Sequence, residues 1–157
     1  MKIVIGSDHA GFEHKKKISE LIASLGHKII DVGTDGGDSV DYPDYGEKGA
    51  REISCGSAEL GVLICGTGMG ISMAANKVRG IRAAVCWNEE TASLARQHNN
   101  ANVLCIGARF IPVEEALNIT KVFLDTPASK DERHQRRIKK ISIIEERSRS
   151  CDCREKK

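Results

Sequence analysis

A cysteine at the start of a glycine-rich loop is the clearest sign of chemistry in this sequence. The segment CGTGMG, from Cys65 to Gly70, follows an apolar run and opens a helical pattern. Glycines let the backbone turn tightly and approach a ligand, while the free amides of a helix amino terminus attract anions. The same amides and the helix dipole favour a thiolate over a neutral thiol. We therefore predict an anion-binding loop with Cys65 as its base or nucleophile.

The alternatives to this interpretation are a dinucleotide-binding loop and a purely structural cysteine. The G-x-G-x-G spacing and the position after the third apolar run argue against a nicotinamide cofactor. Cys55, Cys86 and Cys105 are interpreted as small core residues, which is what most free cysteines are. No cysteine or histidine has metal-ligand spacing, and the pair at 151 and 153 is two thiols short of a zinc site. We expect reduced thiols, no metal and no cofactor.

Six other residues carry side chains suited to acid–base work or anion binding. Asp8 and His9 follow the first apolar run, where they suit hydroxyl binding and proton transfer, or only cap the next helix. His98 ends a helical pattern, where it is either an acid–base group or only a helix terminus that the dipole favours. Arg109 follows the last apolar run, where it either binds an anion or is simply exposed to solvent. Arg133 and Arg137 are four residues apart on one helical face, so they form either a phosphate clamp or a solvated basic face.

Short apolar runs alternate with helical patterns along the chain, and this alternation predicts the fold. The predicted strands are residues 3–5, 28–32, 60–65, 82–86 and 102–106, and the predicted helices between them are 15–25, 45–54, 71–78, 89–98 and 113–124. Parallel strands need crossover helices, which cover both faces of the sheet. We predict a doubly wound, Rossmann-like α/β fold with a five-stranded parallel sheet. Ligands of such sheets bind at the carboxyl ends of the strands.

The end of the chain differs in character from the rest. Residues 130–149 form a last helical pattern with Ile138, Ile141 and Ile144 on one stripe, which must pack on its own domain or on a second subunit. The segment SRSCDCREKK, residues 148–157, is polar and charged without apolar periodicity. We predict one domain over 1–147 and a disordered polar tail over 148–157.

Length and composition restrict the class of protein. The chain has 157 residues and a formal net charge of +2, too small to predict nucleic-acid binding. No run approaches the roughly 18 consecutive apolar residues that a membrane span needs. The amino terminus, MKIVIGSDHAG, has no signal-peptide pattern. We expect a cytoplasmic protein that binds neither membrane nor nucleic acid.

The motifs SDHAG, DYPDY, ICGTGMGIS with AANK, GIRAA, RQHNNAN and RHQRRI, taken in this order, resemble the ribose-5-phosphate isomerase type B family. That family also includes the bacterial galactose-6-phosphate isomerase subunits, and the resemblance extends from residue 1 to about residue 146. It implies an aldose–ketose isomerase that interconverts ribose 5-phosphate and ribulose 5-phosphate through a cis-enediolate. Because Cys65 is accompanied by Ile71, the chain resembles the branch that uses a cysteine base and not the branch that uses a glutamate.

The resemblance also implies roles for individual residues. Cys65 is the base with Thr67 beside it, and the amides of Gly66, Thr67, Gly68, Met69 and Gly70 bind the enediolate oxygens. Asp8 and His9 act on the substrate, while His98 and Asn99 serve ring opening and hydroxyl binding. The implied phosphate contacts are His9, Arg109, Arg133 and Arg137.

The implied assembly is a homodimer, or a tetramer built from it. In its shared active sites one chain supplies Cys65, Asp8 and the glycine loop, while the other supplies His98, Asn99 and Arg109. Two other functions stay open at this point. One is isomerisation of allose or galactose 6-phosphate, and the other is non-catalytic sugar-phosphate binding, which has no need of Cys65 and His98.

Overall fold

Five apolar segments become one parallel sheet in the computed structural model, which describes residues 1–150, with side chains for 1–147. The strands are β1 (Lys2–Ser7), β2 (Lys28–Asp31), β3 (Leu60–Cys65), β4 (Ala83–Val85) and β5 (Val103–Gly107). They lie in the order β2-β1-β3-β5-β4, and all neighbours are parallel. The three central strands are almost wholly buried, which is why they are continuous apolar runs in the sequence. All five predicted strands are confirmed.

Helices cover both faces of this sheet, so the doubly wound α/β prediction is confirmed. They are α1 (Phe12–Ser24), α2 (Tyr42–Ser54), α3 (Met69–Ala75), α4 (Glu89–Asn99), α5 (Val113–Asp125) and α6 (Glu132–Ser150), and a 3₁₀ turn (His9–Gly11) precedes α1. One core cluster joins the sheet to side chains of α1, α4 and α5, such as Ile18, Ala92 and Phe123. The other joins it to α2 and α3 through Ala50 and Ile71.

The strand order reverses beside β1 and β3, and this places the chemistry. After β1 the chain continues to β2 on one side, whereas after β3 it continues to β4 and β5 on the other. Ser7 is paired with Ile64, and Cys65 with Gly107. The carboxyl ends of β1, β3 and β5 therefore lie side by side, at the kind of switch point where such sheets bind ligands.

Helix α6 packs on α4 near its start and then leaves the core. Ile138 is half-buried, but Ile141 and Ile144 are 43% and 66% exposed. Its apolar stripe is thus only partly covered by its own chain. Residues 148–150 continue this helix, and the remainder of the predicted tail, 151–157, lies outside the described residues.

The cysteines outside the glycine-rich loop differ in their burial. Cys86 and Cys105 are buried as predicted, and burial raises the pKa of both thiols. The prediction for Cys55 is wrong, because this residue caps the carboxyl end of α2 and is exposed. Its pKa is lowered, chiefly by a hydrogen bond with the Ser57 hydroxyl. Within the part of the chain that the structure describes, no helix has the length and apolar character for a membrane crossing.

Candidate active site

Cys65 ends β3 with its thiol held by the loop that follows. The side chain is nearly buried, and the Gly68 amide donates a hydrogen bond to Sγ over 3.2 Å. Gly68 makes this contact in the left-handed conformation, with φ of 76°. A Cβ there would lie 3.0 Å from the carbonyl carbon of Ile106 and 3.1 Å from the Gly107 nitrogen. Only glycine combines this φ with so close an approach to β5, so the sequence fixes an amide donor on the sulfur.

The other loop amides divide into two groups. The Met69 amide donates to Oγ1 of Thr67 over 3.2 Å, so it is engaged within the loop like that of Gly68. Gly70 lies in the first turn of α3, where amides have no acceptor within the helix. Gly66, Thr67 and Gly70 line the cleft beside Cys65, whereas the Gly68 and Met69 amides donate to Cys65 and Thr67. The amides predicted to bind enediolate oxygens are therefore partly used for loop structure.

Asp8 is both a helix cap and a residue of the cleft. Its Oδ1 accepts a hydrogen bond from the Gly11 amide at 3.1 Å, as the capping alternative predicts. The Asp8 amide in turn donates to the carbonyl of Ile64, one residue before Cys65. The residue is 5% exposed and lines the same open cleft as Cys65. The two alternatives for Asp8 are thus compatible.

The His9 ring is oriented by a segment that the sequence analysis did not assign. The Val40 amide donates to Nδ1 of His9 over 3.1 Å. The Val40 carbonyl oxygen lies 3.3 Å from the same ring nitrogen, so both contacts engage Nδ1 and neither engages Nε2. Ser39, Val40, Asp41 and Tyr42 all line the cleft of about 410 Å³. Asp41 and Tyr42 begin the DYPDY motif, whereas Ser39 and Val40 precede it and carry no signal in the sequence.

An ion pair between a buried lysine and an exposed aspartate orders the chain that leads from β2 to this segment. The Lys15 ammonium donates to both carboxylate oxygens of Asp31, at 3.0 and 2.8 Å, and to the carbonyl of Thr34 at 2.8 Å. Its side chain is 4% exposed, so all three donors are needed to compensate its desolvation. The Thr34 amide donates to the carbonyl of Ser7, next to Asp8. The path from β2 to the cleft is thereby attached to the end of β1.

Arg109 belongs to the same cleft as Cys65. Its amide donates to the carbonyl of Gly66 at 3.0 Å, and a side-chain carbon placed on Gly66 would lie 3.1 Å from its Nε. The prediction that Arg109 comes from the other chain is wrong, because β5 is the direct neighbour of β3 and carries Arg109 to the Cys65 loop. One chain therefore combines Cys65, Asp8, His9, Thr67 and Arg109.

A second cluster contains the remaining predicted residues. His98 and Asn99 end α4, and the His98 ring stacks on His134 of α6 with centroids 4.1 Å apart. Nη2 of Arg133 lies 3.3 Å from Nε2 of His134. Burial, with smaller contributions from His98 and Arg133, lowers the pKa of His134. Arg133 and Arg137 are exposed on the first turns of α6.

The two clusters lie at opposite ends of the strands. Helix α4 leads into the first residue of β5, Val103, whereas Cys65 is paired with its last residue, Gly107. A strand rises about 3.3 Å per residue, so the two ends of β5 are roughly 13 Å apart. A single chain therefore does not bring His98 to Cys65.

Comparison with known proteins identifies the family. Residues 3–141 match the Ribose/Galactose Isomerase family. The ribose-5-phosphate isomerase B of Escherichia coli K12 is 43% identical over 146 residues, which cover 93% of this chain and 97% of the relative. The structure of Clostridium thermocellum ribose-5-phosphate isomerase B is 47% identical with a TM-score of 0.92, covering 94% of this chain and 99% of that one.

The similarity includes a structure solved with a sugar phosphate. Mycoplasma genitalium ribose-5-phosphate isomerase B, with bound ribulose-5-phosphate, is 45% identical with a TM-score of 0.88. The alignment covers 92% of this chain and 96% of that one. With the family match spanning most of its length and relatives above 40% identity, the chain belongs to the ribose/galactose isomerase family.

Proposed function

We propose that this protein is an aldose–ketose isomerase that interconverts D-ribose 5-phosphate and D-ribulose 5-phosphate, a reaction of the pentose phosphate pathway, in the cytoplasm. Its family and its ribose-5-phosphate isomerase B relatives support this assignment. The observation that carries it is the cleft in which an amide-held Cys65 sulfur lies with Asp8, His9 and Arg109. This combination offers a base, a hydroxyl-binding carboxylate and phosphate-binding cations in one place.

The proposed base is Cys65. Isomerisation moves one proton between C2 and C1 through a cis-enediolate, and a single base on one face of the substrate can remove and return it. The Gly68 amide on Sγ supplies the hydrogen bond that a thiolate needs. The electron pair stays within the sugar, so the reaction requires no redox partner. Gly66, Thr67 and Gly70 line the same cleft, and their donors are proposed to stabilise the charge that develops on the enediolate oxygen.

The phosphate is proposed to bind between His9 and Arg109 at the cleft. Nε2 of His9 takes no part in the contacts with Val40, and the Arg109 guanidinium offers forked donors to phosphate oxygens. Held there, the phosphate acts as a handle that orients the distant C1 and C2 atoms. Arg133 and Arg137 are exposed cations without a place in this chain's own cleft. They are proposed to complete the phosphate site from a second copy.

The second copy is also proposed to supply His98 and Asn99, which in one chain lie at the end of the strands opposite to Cys65. Exposed apolar side chains next to the cleft support such an interface: Met69 and Met73 on α3 are 59% and 65% exposed, and Phe110 beside Arg109 is 76% exposed. Large exposed apolar residues in one region mark interaction surfaces. In this homodimer His98, with Asp8, opens the furanose ring before isomerisation.

An isomerase assay with three substrates tests the proposal. Ribose 5-phosphate should be converted with a higher kcat/KM than allose 6-phosphate or galactose 6-phosphate, and no conversion of any sugar would refute the activity. Cys65→Ala should fold and still bind ribose 5-phosphate, but lose roughly 10²- to 10⁴-fold in kcat, which is what a general base contributes. Cys55→Ala is the matched control, since that thiol is exposed and outside the cleft, and it should keep wild-type kcat. A Cys65→Ala variant with more than about a tenth of wild-type kcat contradicts the role of the base.

A further inference from the structure

Two arginines in the motifs GIRAA and RQHNNAN have no part in the mechanism above, yet their side chains meet at one turn. Arg82 precedes β4, and Arg96 lies in the last turns of α4. Both donate hydrogen bonds to the backbone or side chains of residues 99–101, directly after His98. We call this pair, Arg82 and Arg96, the arginine clamp.

Arg82 holds the carbonyl side of the turn. Its Nε donates to the carbonyl of Asn99 at 3.1 Å and to that of Asn100 at 3.0 Å. The backbone of Arg82 is held as well, because its amide donates to Oδ1 of Asn102 at 2.8 Å. The guanidinium is partly buried, and this desolvation lowers the pKa of Arg82. A cation has thus been partly removed from water to bind the end of a helix.

Arg96 holds the same turn from within the helix. Its Nη1 donates to Oδ1 of Asn100 at 2.9 Å and to the carbonyl of Ala101 at 2.6 Å. The guanidinium also lies over the Phe123 ring, 5.6 Å from the centroid, and Nε donates to the carbonyl of Thr126. Arg96 is therefore rigidly placed by α5 while it binds the end of α4.

The residue between the two arginines has an unusual backbone conformation. Asn100 has φ of 44° and ψ of 46°, and among the described residues it alone has a positive φ without being glycine. The last carbonyls of a helix lack partners within it, and its carboxyl end attracts cations. Without such partners a helix end frays, so the clamp determines whether the last turn keeps one conformation. His98 and Asn99 are the residues of that turn.

We propose that Arg82 and Arg96 are positioning residues that fix His98 and Asn99 for the active site. The inference rests on the proposed function, from which the roles of His98 and Asn99 come. Neither arginine contacts the substrate. Each acts through the backbone that carries the two side chains, and the stacked His98 and His134 rings are the direct readout of that backbone's order.

The first test is a double-mutant cycle. Arg82→Met removes the donors and keeps the apolar stem, and it should lower kcat/KM for ribose 5-phosphate by about tenfold, the effect of one to two net hydrogen bonds. In a His98→Asn background the same change should lower kcat/KM by less than about twofold, because residues that act as a unit are not additive. Arg79→Met, an exposed arginine of the same loop, is the control and should change neither background.

The second test reads the clamp without activity. In ¹H–¹³C NMR spectra Arg82→Met should shift or broaden the His98 ring signal, and leave that of buried His14 unchanged. If Arg82→Met does not fold, Asn100→Gly serves instead, since glycine accepts the left-handed φ and removes only the Oδ1 that Arg96 binds.

The outcomes separate the clamp from the proposed function. An unmoved His98 signal, or an equal loss of kcat/KM in both backgrounds, would overturn the clamp. Should His98→Asn itself keep full activity, the role of His98 fails, while the NMR signal still decides whether the arginines order the turn. A shifted His98 signal with a loss only in the wild-type background supports the proposal.

Discussion

Gly68→Ala is the substitution that most specifically disturbs the hydrogen bond to the proposed base, Cys65. Gly68 donates the hydrogen bond to Sγ of Cys65, has a positive φ, and packs directly on the backbone of β5. An alanine there must either strain its backbone or move the loop away from β5. Either response displaces the amide from the sulfur, so we expect a large loss of kcat together with a loss of stability.

The structure separates these two losses. A non-glycine residue in the left-handed conformation costs about 1–2 kcal/mol. Gly26→Ala carries this cost alone, because Gly26 has φ of 78° and no atom within 4 Å of a new Cβ. Gly68→Ala adds contacts of 3.0 and 3.1 Å with backbone atoms, which cannot move as a side chain can. Loss of the amide hydrogen bond to the proposed thiolate further costs about 1.5–3 kcal/mol, or roughly 10- to 100-fold in kcat.

Urea unfolding and steady-state kinetics on the two variants provide the assay. Gly26→Ala should lose the strain energy in its free energy of unfolding and keep wild-type kcat. Gly68→Ala should be at least as destabilised and lose about tenfold or more in kcat. If Gly68→Ala folds and keeps kcat within about threefold of Gly26→Ala, the loop amide does not support catalysis and the reasoning is refuted.

Two other variants test the phosphate site and a buried thiol. Arg137→Ala should lower the affinities for ribose 5-phosphate and inorganic phosphate by about tenfold each in calorimetric titrations, because a charged hydrogen bond is lost. Lys139→Ala on the same helix is the control and should change neither affinity. An unchanged phosphate affinity of Arg137→Ala would show that Arg137 belongs to a solvated face. Burial raises the pKa of Cys86 from 9.0 to about 11. The unfolded chain therefore ionises first, and between these pH values this thiol should cost about 1.4 kcal/mol of stability per pH unit, an increment that Cys86→Ala lacks in urea titrations. Equal pH slopes for the two proteins would contradict that burial effect.

The sheet could be predicted because burial on both faces makes each central strand a continuous apolar run. The strand order could not, since it depends on which crossover covers which face. That missing order explains the error on Arg109, which lies beside Cys65 only because β5 is the neighbour of β3.

The candidate site was predictable where its residues directly follow strands. Asp8, His9 and Cys65 are at the carboxyl ends of β1 and β3, where a general rule places ligands. Val40 and Tyr42 are not, because they reach the cleft only through long-range contacts such as the Val40 amide on His9. Cys55 was misjudged for a related reason: a residue just past a helix end has no apolar period to show which side it faces.

Complementation between two strongly impaired variants tests most directly whether the active site is shared between two copies. Cys65→Ala and His98→Asn are mixed under conditions that exchange subunits, with exchange verified by mass-tagged chains. In a mixed dimer one site receives both lesions, and the other receives an intact cysteine and an intact histidine. Random exchange makes half of the dimers mixed, each with one good site of two, so activity should return to about one quarter of wild type.

A second mixture controls for nonspecific effects of exchange. When Cys65→Ala is mixed with Arg109→Ala, each lesion lies in the cleft of the chain that carries it, because one chain supplies both residues to its cleft. Each site of a mixed dimer then keeps one lesion, and the activity of the mixture should not exceed the average of its parents. Recovery in the first mixture alone is the result that a shared isomerase site predicts. Persistent inactivity of the Cys65→Ala and His98→Asn mixture, with exchange complete, would contradict it.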